Sequence, residues 1–223
     1  MKKFIGITGT AVLMFFSYYL PANADFNFGA LLRVGEYETS GTETEKAVTG
    51  VTSGTETATE TEGFYGASVF IEYEMDNGFA LGLDYIPMDV DIGDGARTDS
   101  SSAANVASEA DVGARTASAS LDSLTTIYAH VPIGPIYALL GYHDTTVTTN
   151  ESLPTSKYAD VDLNGIMYGV GYKGENFRME LAYSDFDDIA ITATGNTVSG
   201  AITGQNKVTA DADALELRLG YAF

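Results

Sequence analysis

Apolar and polar residues alternate along most of the chain. From Phe64 to Met75, Tyr65, Ala67, Val69, Ile71, Tyr73 and Met75 fall on one face, and Gly66, Ser68, Phe70, Glu72 and Glu74 on the other. A period of two is the signature of a β-strand. Asp76-Asn77-Gly78 is a tight-turn sequence, and beyond it Phe79, Leu81, Leu83 and Tyr85 alternate with Ala80, Gly82 and Asp84, which predicts a hairpin. After Ile86-Pro87 the phase slips, so that Met88, Val90 and Ile92 alternate with Asp89 and Asp91. A bulge at the proline, with the strand continuing past it, is the expected cause.

Further strands are predicted at Phe26 to Tyr37, Ser118 to Val131, Ile136 to Thr148, Val161 to Tyr172, Phe177 to Ile191 and Val208 to Phe223, which makes eight in all. Three connections are short: Asp76-Asn77-Gly78, Pro132-Ile133-Gly134-Pro135 and Lys173-Gly174-Glu175-Asn176. They alternate with long ones at Thr39 to Glu62, Gly93 to Ala117, Thr149 to Asp160 and Thr192 to Lys207, rich in Thr, Ser, Gly, Ala and acids. The first of these carries a near-repeat, Ser40-Gly41-Thr42-Glu43-Thr44-Glu45 and Ser53-Gly54-Thr55-Glu56-Thr57-Ala58, and is read as a loop tip. In an up-and-down meander all the long connections fall at one end.

Met1–Ala24 has a cationic start (Lys2, Lys3), an apolar stretch from Phe4 to Leu20, and Ala22-Asn23-Ala24 after Pro21. This is the layout of a cleaved export signal, with the exported chain running from Asp25 to Phe223. No long apolar run follows Ala24, so a spanning structure would have to be a closed barrel. The 223 residues include 31 acidic and 11 basic ones, for a formal charge of −20, which would repel nucleic acid. The chain has no Cys, which excludes disulfides, thiolate metal sites and Cys nucleophiles. Only 19% of residues are charged and mean hydropathy is +0.01, so the acidity is not that of a disordered tail.

Alternation is shared by soluble barrels, apolar inside, and membrane barrels, apolar outside. Four features favour the membrane form. The polar faces are crowded with small residues (Gly29, Gly35, Gly66, Ser68, Ala80, Gly82, Gly165, Gly169, Gly171, Ala182, Gly220), as a narrow interior requires. Aromatics collect towards strand ends, with Phe26, Phe28, Phe79, Tyr137, Tyr172, Phe177, Tyr221 and Phe223 at the short-turn end and Tyr37, Tyr158 and Phe186 at the other, as interfacial girdles do. The long connections lie on one side only. The last strand sets Leu215, Leu217, Leu219, Tyr221 and Phe223 against Glu216, Arg218, Gly220 and Ala222, and it ends on the aromatic.

That ending, Glu216-Leu217-Arg218-Leu219-Gly220-Tyr221-Ala222-Phe223, resembles the assembly signal of Gram-negative outer-membrane proteins, with Glu216, Tyr221 and Phe223 matching and Arg218 standing where the pattern has Gly. The whole exported layout is similar to the small OmpA-type, OmpX-type and opacity-like barrels, with OmpW-like channels as a cousin. The resemblance implies an eight-stranded antiparallel up-and-down transmembrane β-barrel that is inserted by the outer-membrane assembly machinery and surrounded by outer-membrane lipid and lipopolysaccharide. It also implies a role in envelope integrity, adhesion through the long loops, or passage of small solutes.

Alternation points Arg33, Glu72, Asp84, Arg178, Glu180, Glu216 and Arg218 inward, with Tyr128, His130 and His143 as possible companions. In a barrel too narrow for bulk water these charges must pair, either as a plug or as a gate. For catalysis, His143-Asp144 with a neighbouring Ser offers only a distant imitation of a lipid-modifying dyad, and no nucleophile-elbow motif exists, so no enzyme is expected. Asp89-Val90-Asp91-Ile92-Gly93-Asp94-Gly95, which lacks the full calcium-loop pattern, reads first as a solvated acidic strand end; with Asp185-Phe186-Asp187-Asp188 at the same outer rim, the alternative is a pair of segments that together hold divalent cations against lipopolysaccharide. No cofactor or resident metal is expected.

Overall fold

β-Branched and aromatic residues fill the alternating segments, and each segment forms a strand. The computed structural model describes residues 25–46, 52–99, 113–151, 158–192, 197–198, 201–202 and 207–223; the predicted leader, Met1–Ala24, lies outside them. The strands are β1 (Asp25–Lys46), β2 (Thr52–Glu74), β3 (Ala80–Ile86), β4 (Val90–Asp99), β5 (Gly113–Ile133), β6 (Ile136–Glu151), β7 (Val161–Lys173), β8 (Phe177–Phe186), β9 (Ile189–Thr192), β10 (Thr197–Val198), β11 (Ala201–Ile202) and β12 (Lys207–Ala222). Their wall order is β1-β2-β3-β5-β6-β7-β8-β12, and β12 pairs back onto β1 from Gly29↔Ala222 to Thr44↔Lys207. β4 prolongs β3 and β9 prolongs β8, so the wall is an antiparallel ring of eight strands.

The faces are sorted as a membrane barrel requires. Leu32, Val34, Ile71, Ile127, Leu140, Ile166, Val170, Leu181 and Leu217 point outwards and stay exposed, while Leu31 and Leu139, one residue out of phase, are fully buried. An apolar belt on every wall strand has no place in water, where exposed apolar patches stay small; with a packed interior it is the surface of an outer-membrane barrel. Phe26, Phe28, Tyr172, Phe177, Tyr221 and Phe223 form the girdle at the short-turn end, with Phe28 stacked on Phe223 at 5.7 Å. Tyr137, Tyr37 and Phe186, which the sequence placed in the girdles, are instead buried inside. Their phase follows the inward residues of their strands, and proximity to a strand end does not decide it.

The lumen is filled by pairing a large ring with a glycine on the next strand. Register partners Gly29 and Phe70, Gly35 and Phe64, Gly82 and Tyr128, Gly171 and Tyr137, and Gly165 and Phe186 all follow this rule. A Cβ on any of these glycines would collide with its partner's ring. At the outer end Tyr37, Phe64, Ile86, Val90, Leu121, Leu124, Val147, Leu163, Phe186 and Ala214 pack into an apolar layer across the lumen.

At the short-turn end, Gly78 closes a hairpin in which its N–H bonds the Met75 carbonyl at 2.8 Å, and Gly78 takes a φ of 79°. Gly134 (φ 64°) and Pro135 form a two-residue turn; since Pro cannot follow with a positive φ, a glycine must come first.

At the other end the structure corrects the sequence twice. Thr39 to Glu62, read as a long loop, is largely strand among the described residues, with β1 and β2 in register up to Thr44↔Thr55, and β4 and β5 pair up to Asp99↔Gly113. Threonine is β-branched and suits a strand as well as a turn, and the hydroxyls of Ser40 and Thr59 (3.0 Å) and of Thr42 and Thr57 (3.2 Å) join across the ladder. The break at Pro87 is also deeper than a bulge. The β2–β3 ladder stops at Val69↔Tyr85, and β4 resumes at Val90 with β5 alone, against a register shift at Asp122/Thr125 where Ser123 has a φ of 33°. Pro87 has no N–H to offer β2, so the ladder ends there.

Gly82→Ala is expected to force the Tyr128 ring out of its seat, at a cost of about 1–3 kcal/mol in line with other overpacked cores. Urea unfolding of the lipid-reconstituted protein would measure this, with Gly66→Ala, whose added Cβ meets nothing within 4 Å, as a neutral control.

Candidate functional site

Seven charged side chains converge on the lumen, all at 4% exposure or less: Arg33 from β1, Glu72 from β2, Asp84 from β3, Arg178 and Glu180 from β8, and Glu216 and Arg218 from β12. These are the residues that alternation points inward. The sequence cannot say which acid holds which base. Arg33 grips Glu216 with two bonds, Nε to Oε2 at 2.7 Å and Nη2 to Oε1 at 2.5 Å, and reaches Asp84 at 3.7 Å. Arg218 donates to Asp84 Oδ2 at 2.5 Å, lies 3.3 Å from Glu180, and has the Met167 sulfur at 3.3 Å. Arg178 continues the chain, 3.4 Å from Glu180 and 3.0 Å from Glu72. The result is an unbroken run of alternating charge, Glu216, Arg33, Asp84, Arg218, Glu180, Arg178, Glu72.

Arg33 and Arg218 are direct register partners. Like charges so placed repel, and Glu216 and Asp84, each within reach of both, hold them together. Three guanidiniums alone would face four carboxylates. Lys173, at the mouth of the lumen, adds a cation: its Nζ is 3.0 Å from Glu72 and 2.5 Å from Glu74, tying β7 to β2 on the far side of the ring. The sequence reading left Lys173 in a turn. Its signal was the position at the end of β7, in phase with inward Gly171, from which a long side chain can reach back into the lumen.

Neutral groups complete the net. Tyr128 donates to Glu72 (3.1 Å) and Tyr137 to Glu180 (2.7 Å). His130 lies between these two acids, with Nδ1 3.1 Å from Glu72 and Nε2 3.4 Å from Glu180. The Phe70 ring underlies the Arg178 guanidinium at 3.6 Å, a cation–π contact. Towards the apolar layer, His143 bridges Thr126 (Nδ1 to Oγ1, 2.7 Å) and Ser184 (Nε2 to Oγ, 2.8 Å), all three at 2% exposure or less. Asp144 points outward, so the imidazole has a hydroxyl where a catalytic triad has a carboxylate, and Ser184 faces the packed interior.

The other predicted positions are distributed as follows. Glu216 belongs to the lumen net, and Tyr221 and Phe223 lie on the outer girdle, their rings 5.0 Å apart. The Asp89 and Asp185 segments stand on opposite walls of the ring, four strands apart, and form no common cluster. Asp185 is instead the register partner of Asp213, and Asp213 that of Glu38, a row of acids just above the apolar belt. Among the described residues no three metal-ligating side chains come together.

Solved structures of similar fold include the outer membrane protein OprG from Pseudomonas aeruginosa (16% identity, TM-score 0.48, covering 87% of this chain and 96% of that one). Others are the outer membrane protein AlkL in lipid bilayers (13%, TM-score 0.48, 92% and 95%) and the attachment invasion locus protein Ail of Yersinia pestis (12%, TM-score 0.36, 87% and 98%). No protein-family model matches the chain, and no curated protein matches it.

Removing one member of a buried ion-pair chain leaves its partners uncompensated. Arg218→Met, which strips both Asp84 and Glu180 of a cation, is expected to destabilise the barrel by about 3–5 kcal/mol. Adding Asp84→Asn should recover part of that loss, and chemical denaturation in lipid bilayers would measure the coupling.

Proposed function

We propose that the protein is a structural and surface-interacting barrel of the bacterial outer membrane, exported through the leader that ends at Ala24, with its lumen serving as a core. The observation that carries this reading is the sealed interior. Seven charged side chains are paired along the lumen below an apolar layer, each at 4% exposure or less, which leaves no column of water for an ion to follow. In an eight-stranded barrel side chains fill the interior. A plug of this kind stiffens the wall, and the stiff wall supports the strand extensions beyond the apolar belt, where binding segments are commonly displayed. The buried His143–Ser184 contact gives a lipid substrate no access, which weighs against a lipid-modifying enzyme.

A channel for small solutes is the second reading. It is favoured by the break at Pro87, which leaves the wall one ladder short beside Ile86 and Val90 of the apolar layer.

Planar-bilayer recording separates the two. The sealed-core reading expects baseline current under voltage, and an outer-membrane band whose gel migration changes on boiling. Regular current steps that change size in Arg33→Ala or Arg218→Ala would replace it with the channel.

A further inference from the structure

The end of the β2–β3 ladder leaves a strand edge without a ladder partner among the described residues. Above Val69, β2 runs on to Thr52 with β1 as its strand partner among the described residues, while β4 pairs with β5 and forms no ladder with β2. Alternate backbone N–H and C=O groups of Thr52–Ser68 therefore face outward along that edge. Tyr65 is the upper border of the apolar belt on β2, so the edge from Thr52 to Phe64 stands in water, while Tyr65–Ser68 lie within the belt.

Natural edges are blunted by proline, lysine, bulges or short length. Thr52 to Ser68 has no Pro, Lys or Arg, and its register with β1 is continuous from Thr55 down to Glu74. Its composition also favours extension. Thr57, Thr59 and Thr61 lie on one face and Glu60 and Glu62 on the other, all exposed. Thr57 and Thr59 are already fixed by hydroxyl contacts to β1, so the strand is ordered before any partner arrives. Strand addition to such an edge draws its affinity from the main chain and its selectivity from alternate side chains.

We infer that the β2 edge from Thr52 to Phe64 is a docking site for an extended cationic segment of another protein, which adds as a strand. Lys or Arg at every second position meets Glu60 and Glu62, and β-branched residues cover the threonine face. Charge selects the occupant: a second copy of this chain would bring the same acids to the edge, where like charges repel. The inference builds on the surface-interaction reading only in placing this edge outside the membrane; it holds whether or not the lumen conducts.

The test uses the full-length protein in detergent micelles and a synthetic strand of alternating Lys and Val, with hydrogen exchange followed by mass spectrometry. The expected result is slowed exchange over residues 52–64 on peptide addition. Binding should weaken by about tenfold in Glu60→Lys/Glu62→Lys, which should in turn accept the Glu/Val peptide. A Lys/Val peptide interrupted by proline keeps the charge and loses the ladder. If it binds as well as the intact one, the attraction is charge alone and the inference fails. The inference also fails if residues 52–64 are already protected without peptide, since a segment of the chain itself would then occupy the edge. Failure of the surface-interaction reading would show elsewhere, as current steps in bilayers or absence from the outer-membrane fraction.

Discussion

Hydrocarbon offers a peptide group no hydrogen-bond partner, so a sheet can cross a membrane only if its first and last strands meet. In this chain that contact is the ladder from Gly29↔Ala222 to Thr44↔Lys207, which closes β1 on β12. Closure on eight strands fixes a bore too narrow for bulk water, and the interior follows from that limit. Every large ring that points inward needs a neighbour without a side chain, which is why Tyr128 lies over Gly82 and Tyr137 over Gly171. Every charge that points inward needs an opposite charge within reach, since its water has been removed.

The charge net answers this second demand by linking strands that are distant in sequence and often on opposite walls. Glu72 of β2 is bonded to Lys173 of β7 and Arg178 of β8, and Asp84 of β3 to Arg218 of β12. Such pairs do not need to stabilise the fold relative to an apolar filling. They do penalise any slip of register, because a one-residue shift would turn a guanidinium into lipid. The net and the closed ladder therefore specify the same arrangement of strands.

The outer half of the molecule is under different rules. Beyond the apolar belt water can satisfy the backbone, and the wall no longer has to be complete. Pro87 marks where the ladder stops: above Val69 β2 pairs with β1, and β4 pairs with β5.

The sequence by itself determined the strands, their alternation, their short turns and the set of seven inward charges, because a period of two is a local property that the backbone imposes on each strand. It misread Thr39 to Glu62 as a loop, since threonine and glycine serve turns and exposed strands alike, and only pairing with β1 and β12 tells them apart. It placed Tyr137, Tyr37 and Phe186 in girdles by their position near strand ends, whereas their phase put them inside. The pairing of the charges, the recruitment of Lys173, the His143–Ser184 contact and the end of the β2–β3 ladder were decided by the tertiary structure alone. Each depends on which strands face one another across the lumen or cease to pair, and that is settled only when the ring closes.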